Sequence, residues 1–306
     1  MSTEPSWDLY RTFNAVLQHG SLSGAARALG LTQPSIARHI GALEEAVGAT
    51  LFVRTPRGLS PTDAALELRP FVQTLASTSA ALLRAASGRA GEVRGTVRIT
   101  ASEVVGMEHL PPILTRLRRR YPELTIELVL SNALDDLLQR KADIAVRMVR
   151  PEQQALVAKR VGSLQLGLHA RRDYLAEHGT PETMEQLRDY DLIGYDVETP
   201  VIPAISGRYP VFNRAAFALR ANNDAAQLAA IRAGFGIGVC QVAVATRDPD
   251  LVHVLADAFT FDLETWVVMH EDLRGNHRCR AVFDALVEGL SQIASQARQT
   301  PSVREA

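Results

Sequence analysis

Apolar residues recur at three- and four-residue intervals over the first fifty positions of the chain. Leu9, Phe13, Val16 and Leu17 predict an amphipathic helix over 7–18, ended by Gly20. Leu22, Ala25, Ala26 and Leu29 predict a second helix, capped by Ser21 or Ser23, with Gly30 in the tight turn that follows. Thr32 is a good N-cap for a third, and Pro34 sits where its missing N–H costs little. Ile36, Ile40, Leu43 and Val47 then share one face, while Gln33, Ser35, Arg38 and His39 occupy the other. Beyond Gly48 the pattern changes. Leu51-Phe52-Val53-Arg54 reads as a short strand, Thr55-Pro56-Arg57-Gly58 as a turn, and Leu59-Ser60 as a return strand.

Two helices joined by a short glycine-containing turn form the helix-turn-helix pattern, whose second helix enters the major groove of DNA. The Ala25-Ala26 pair permits the close helix packing this needs. Gln pairs with adenine and Arg with guanine through two hydrogen bonds each, so Gln33 and Arg38 are candidate base readers. Ser35 and His39 share their face. The hairpin reads as a wing whose Arg54 and Arg57 reach phosphate or the minor groove. The competing reading is a small helical domain with a charged surface.

Across about sixty residues this segment resembles the LysR-type transcriptional regulators. The matching positions are Ser23-Gly24-Ala25-Ala26 with Leu29, Thr32-Gln33-Pro34-Ser35-Ile36-Ala37-Arg38-His39-Ile40, Leu43-Glu44 with Gly48, Leu51-Phe52 with Arg54, and Arg57-Gly58-Leu59 with Thr62. The resemblance adds Ser23, Thr32 and Pro34 to the DNA-binding positions. Two departures stand out: Ala37 replaces the family's usual small hydroxyl residue, and Ala65 its frequent glycine.

Residues 62–90 continue helically as a linker, starting at Thr62-Asp63. Leu68, Val72, Leu75, Ser79, Leu82 and Ala86 step by four and three, which makes a heptad seam. Pro70 lies inside it, where proline costs about 3 kcal/mol and bends a helix. A seam on an isolated helix needs a partner, and a second copy is the simplest. The resemblance implies an antiparallel homodimer through Leu68, Val72, Leu75 and Leu82, assembling further into a tetramer. The alternative is a solvated connecting helix. Gly88, Gly91 and Gly95 then mark a hinge.

From residue 91 onward strands and helices alternate. Strands are expected at 97–101, 126–130, 143–148, 164–169, 192–195, 237–240, 251–255 and 264–270. Helices are expected at 107–121, 134–141, 224–233 and 278–290. Such alternation indicates an α/β fold with parallel strands and right-handed crossovers. The length suits two α/β subdomains, about 93–164 with 268–296, and about 165–267. The resemblance implies an effector domain similar to periplasmic solute-binding proteins, with the chain crossing between subdomains near Ser163–Leu166 and Asp262–Val267. The whole architecture expected is thus a winged helix-turn-helix over 1–61, a linker helix over 62–90 and a regulatory domain over 91–306.

In open α/β folds ligands sit beyond the C-terminal ends of the strands. Ser102, Ser131 and Arg147 fall at or near three such ends, and Asn222 precedes a helix in the second subdomain. The resemblance brings these four into one cleft as effector contacts, for an organic acid or an aromatic molecule. The bland alternative is that they are caps, turns and a structural ion-pair partner.

Composition changes this picture only at the edges. The 306 residues carry a net charge of −1, and 46% are hydrophobic. The chain is neither a basic coat protein nor an acidic disordered tail. Residues 1–90 hold eight arginines and six acidic residues, so the mild positive balance lies on the DNA-binding side. No run of eighteen apolar residues exists, and the opening MSTEPSWDLY has neither a basic nor an apolar leader region. A cytoplasmic protein without membrane contact is expected, with two cysteines too few for a disulfide framework. The eight histidines form no short-spaced pair, which argues against a metal site, and no phosphate-cradling loop or other cofactor motif occurs. Gly234-Phe235-Gly236-Ile237-Gly238 lacks the context of a dinucleotide loop; its glycines let a strand approach the preceding helix. Cys240 and Cys279 read as inert buried thiols rather than a redox switch.

Three functions compete. A DNA-binding regulator, with RNA polymerase as a further partner, uses every feature above. A transporter's solute-binding protein leaves the N-terminal domain unexplained, and an α/β enzyme has no catalytic constellation.

Overall fold

The computed structural model describes residues 4–56, 58–87, 91–132, 140–151, 156–197 and 202–297. The described chain divides into two compact units: residues up to Ala86 together with Arg140 and Lys141, and the remainder.

In the first unit α1 (Trp7–His19), α2 (Leu22–Leu29) and α3 (Gln33–Val47) are followed by β1 (Phe52–Thr55), β2 (Gly58–Pro61) and α4 (Asp63–Ala86). Caps fix the helix starts. Ser21 accepts from the Gly24 amide, and Thr32 Oγ1 accepts from the Ser35 amide at 3.3 Å. Phe13, Val16, Ala25, Ile36, Ile40, Leu43 and Leu51 form the core, where Phe13 meets Phe52 edge-on with 5.6 Å between ring centres. Val47, expected on the buried face, is 39% exposed. It is the last residue of α3 and lies outside that core cluster. The wing pairs Phe52 with Pro61 through Thr55 with Gly58, antiparallel.

The helix α4 runs unbroken through Pro70. The linker seam divides in two. Val72 is buried and Leu68 half-buried, both packed on the core of their own chain, because α4 crosses α1 there. Those two positions are therefore consumed by the fold. Leu75 and Leu82 are exposed, and with them Phe71 and Leu83.

The second unit opens with β3 (Gly95–Ala101), α5 (Leu110–Arg120), β4 (Leu124–Leu130) and β5 (Ile144–Arg147). Then come β6 (Leu156–Arg171), α6 (Arg172–His178), β7 (Leu192–Tyr195), α7 (Ile202–Arg208), β8 (Phe217–Ala221), α8 (Asp224–Arg232) and β9 (Ile237–Gln241). It ends with a single turn α9 (Val242–Ala245), β10 (Leu251–Val254), β11 (Phe261–His270) and α10 (His277–Ala297). Among the described residues these strands form one mixed sheet, ordered β4-β3-β5-β11-β6-β9-β7-β8, with β10 paired to β6. The strands β3, β4 and β5 are parallel, as are β7, β8 and β9. Residues 134–139 of the helix expected at 134–141 lie outside the described residues.

Each half of this sheet has its own core. One contains Ile99, Leu110, Ile144, Val267 and Leu286; the other contains Leu168, Leu187, Leu192, Ile237 and Phe259. The strands β6 and β11 run antiparallel to each other and serve both. Val161 and Leu164 pack in the first core, Leu166 and Leu168 in the second. That double duty makes β6 far longer than the expected 164–169. The ladder slips between Thr265 and Trp266, opposite Gly162 and Arg160. Gly162 has φ +135°, and a Cβ there would lie 2.6 Å from the Ala294 methyl, so only glycine suits the slip. Gly238 lies flat against Ile231 of α8, which is the close approach expected of the glycine cluster.

Candidate functional site

The helix α3 turns Ile36, Ile40 and Leu43 into the core, so its other face is open. Thr32, Gln33, Pro34, Ala37 and Arg38 are exposed, and Ser35 is half-buried. Two polar contacts organise this edge. The Thr32 and Ser35 hydroxyls lie 2.9 Å apart, and the Ser23 hydroxyl donates to Gln33 Oε1 at 3.2 Å. His39 faces inward instead, its Nδ1 2.9 Å from Oγ1 of the buried Thr12 on α1. It ties α3 to α1 rather than standing on the open face. Arg54 is exposed on β1. Arg57 lies outside the described residues.

Glu44 had no role in the sequence reading. Its Oε1 accepts from the backbone amides of Leu51 at 2.7 Å and Phe52 at 3.3 Å, fastening the wing to the end of α3. Thr62 adds a second fastening by donating to the Thr50 carbonyl at 2.8 Å. Only its place in the motif marked Glu44.

The second unit contains a cleft of about 210 Å³ where β3, β5, β7 and β9 end. Ser102, Arg147 and Asn222 line it. Ser131 does not: its amide continues the ladder to the Ala101 carbonyl at 2.9 Å, and the next residue, Asn132, takes the lining position. Arg147 is almost wholly buried, donating to the Thr100 hydroxyl at 3.0 Å and to the Val146 carbonyl at 3.1 Å. Most of the remaining wall is apolar, including Ile193, Ile202, Phe212, Phe217 and Leu263.

At the N-terminus of α8 groups from both halves meet. Glu103 accepts from the Asp224 amide at 2.8 Å, and Asn132 donates to Asp224 Oδ2 at 3.4 Å. Burial, with the neighbouring Glu103 charge, holds the Asp224 carboxyl above the ordinary carboxylate range. A further bridge runs through His109, which is fully buried. Its Nε2 lies 2.6 Å from Gln241 Oε1 and its Nδ1 2.7 Å from Arg247 Nη2. A guanidinium only donates, so Nδ1 accepts and the proton sits on Nε2. Burial pushes the imidazole below its ordinary value, consistent with that neutral form. Sequence reasoning missed His109 and Gln241 because 132 positions separate them.

Cys240 lines the cleft, its sulfur 3.3 Å from His169 Nδ1. Burial pushes the thiol up to about 12, so it stays protonated and inert at neutral pH. Cys279 belongs to the other core. Among the described residues no group of three or more histidines, cysteines or carboxylates is placed to hold a metal, and no helix is long and apolar enough to cross a membrane.

Residues 7–66 match the family described as "Bacterial regulatory helix-turn-helix protein, lysR family", and residues 90–291 match "LysR substrate binding domain". Both are families of regulators, not enzymes. The chain is 30% identical over 183 residues to the HTH-type transcriptional regulator CrgA of Neisseria meningitidis, covering 60% of this chain and 61% of that one. It thus spans about three fifths of that relative's length. It is 26% identical over 289 residues to the probable HTH-type transcriptional regulator LtrA of Klebsiella pneumoniae, covering 90% and 92%. The fold is similar to the solved structure of CrgA (TM-score 0.58, 24% identity, 93% and 99% covered) and to that of CbnR, solved with its target DNA (TM-score 0.66, 18% identity, 94% and 100% covered). On the strength of both matched families, this chain belongs to the LysR family of bacterial transcriptional regulators.

Proposed function

We propose that this chain is a sequence-specific, double-stranded-DNA-binding regulator of transcription whose output is set by a small-molecule effector. The observation that carries the reading is the Thr32-capped α3, whose apolar face is held in the core while Gln33, Pro34 and Arg38 stand exposed. In this reading Gln33 and Arg38 read base edges. Thr32 and Ser35 contact phosphate near the helix start, Arg54 and Arg57 reach the backbone from the wing, and Ser23 and His39 position the helix. The effector, an organic acid or an aromatic molecule, occupies the cleft lined by Ser102, Arg147 and Asn222, with Asn132 in place of Ser131. Binding there shifts a pre-existing equilibrium between arrangements of a homo-oligomer. Leu75 and Leu82 with Phe71 form its linker contact, two dimers give a tetramer on separated half-sites, and RNA polymerase is a further partner in the cytoplasm. The test is a salt titration of binding to the upstream region of the chain's own gene. Specific binding that weakens steeply with salt supports the reading, and no binding at low salt overturns it.

A further inference from the structure

The cleft has a neighbour in the second unit. A groove of about 230 Å³ lies where the turn before α5, α5 itself, α10 and the segment after α9 meet. The helix α5 contributes Ile113 and Arg116, and α10 contributes Gln292 and Ile293. Arg247 and His109 complete the wall. Its apolar part can bury a short hydrocarbon body, and its polar part combines Arg116 and Arg247 with Glu108 and the amides of Gln292 and Gln296.

The charge balance of this groove is positive. The Glu108 carboxylate is held by Arg232 Nη1 at 2.7 Å, and Asp248 stands 3.6 Å from Arg232 Nε. Arg247 is fixed by neutral acceptors, the Glu108 carbonyl at 2.8 Å and His109 Nδ1 at 2.7 Å. Arg116 makes no ion pair or hydrogen bond among the described residues. Glu108, Arg116 and Arg247 thus border one concave surface, two guanidiniums against one carboxylate that Arg232 already engages. Guanidinium groups match planar and tetrahedral oxyanions, and the two bonds that Arg247 makes through Nη1 and Nη2 hold that side chain in place at the groove wall.

We propose that this groove is a second ligand site, separate from the cleft, for a small molecule bearing one oxyanion group, held between Arg116 and Arg247. The oxyanion is a carboxylate on an apolar body or a phosphate, and both belong to the same recognition chemistry. The site also abuts the cleft: His109 donates to Gln241, and Gln241 lines the cleft wall.

The experiment is calorimetric titration of the full chain with butyrate and, separately, with inorganic phosphate, each at constant ionic strength set by chloride. Saturable one-site binding is expected for at least one probe. Arg116→Gln should weaken it at least tenfold, while Arg119→Gln, which removes an equal charge from the same helix outside the groove, should leave it unchanged. Arg116 is exposed, so its variant should keep the parent's melting temperature. Tighter butyrate assigns a carboxylate with an apolar body, and tighter phosphate assigns a phosphate. No saturable heat from either probe overturns the site. So does an Arg116→Gln variant that binds like the parent, or an equal loss in both variants.

Discussion

The Ser23 hydroxyl donates to Gln33 Oε1, joining the start of α2 to the first residue of α3. A side chain expected to read bases is thus held in one orientation before DNA arrives. Gln33→Ala and Arg38→Ala should each weaken binding to the specific site by about 1–3 kcal/mol per lost base contact, with binding to scrambled DNA nearly unchanged. Ser23→Ala should produce a smaller loss of the same kind. Fluorescence anisotropy on specific and scrambled duplexes measures both. Two alanine variants at 33 and 38 that bind as the parent does would remove α3 from the groove.

Glu44 joins the wing to α3 through two backbone amides. Hydrogen bonds to a charged acceptor contribute about 1.5–3 kcal/mol, so Glu44→Ala should lower the stability of the N-terminal unit by that order. Urea unfolding reads the loss, and Glu44→Gln should recover part of it.

The linker helix separates packing from assembly. Val72→Ala should destabilise the fold by about 1–3 kcal/mol while leaving the oligomeric state alone, because Val72 is buried within its own chain. Leu75→Glu with Leu82→Glu should do the reverse, since both residues are exposed on one chain. Sedimentation velocity distinguishes them, and an unchanged oligomer in the double variant would move the contact elsewhere.

Arg147→Ala should abolish the response to a carboxylate effector and spare DNA binding by the N-terminal unit. Its burial adds a second expectation, because loss of the guanidinium removes the donor to the Thr100 hydroxyl. Some loss of melting temperature should accompany the lost response. An effector response equal to the parent's would take Arg147 out of the site.

Acid should weaken the second unit. Burial, aided by neighbouring His253, lowers His169 from 6.5 to about 3. Above 6.5 this imidazole is neutral in both states and stability is at its full value. As pH falls from 6.5 toward 3 only the unfolded chain takes up the proton, which favours unfolding. His109 and His253, also lowered mainly by burial, act in the same direction. Unfolding free energy measured over this window should fall with pH, and His169→Gln should flatten the slope. An unchanged slope in that variant would show that His169 is not the group responsible.

What the sequence disclosed followed the reach of its signals. Ser21, Thr32 and the apolar spacing of α1 to α3 act within a few residues, so the N-terminal helices could be read directly. Of strand β6 only 164–169 could be read, because its residues serve two cores and no single alternation runs through Leu156–Arg171. The helices α6 and α7 and the strand β8 are short and carry weak periodicity. Leu68 and Val72 fit a heptad seam equally well whether a neighbouring copy or α1 covers them, and only the tertiary packing decides. The cleft residues at strand ends were legible to within one position, as Ser131 and Asn132 illustrate. The bridges Glu103 to Asp224 and His109 to Gln241 join residues more than a hundred positions apart, and no local pattern announces them.

The slip between β6 and β11 at Gly162 and Thr265 bears on how the two halves of the second unit can move. Neighbouring strands carry both connections, hydrogen-bonded to each other on either side of the irregularity. Neither connection can swing alone without breaking the ladder it shares with the other. The soft coordinate is therefore a wringing of a two-stranded ribbon about its long axis, which reorients one core against the other while leaving each intact.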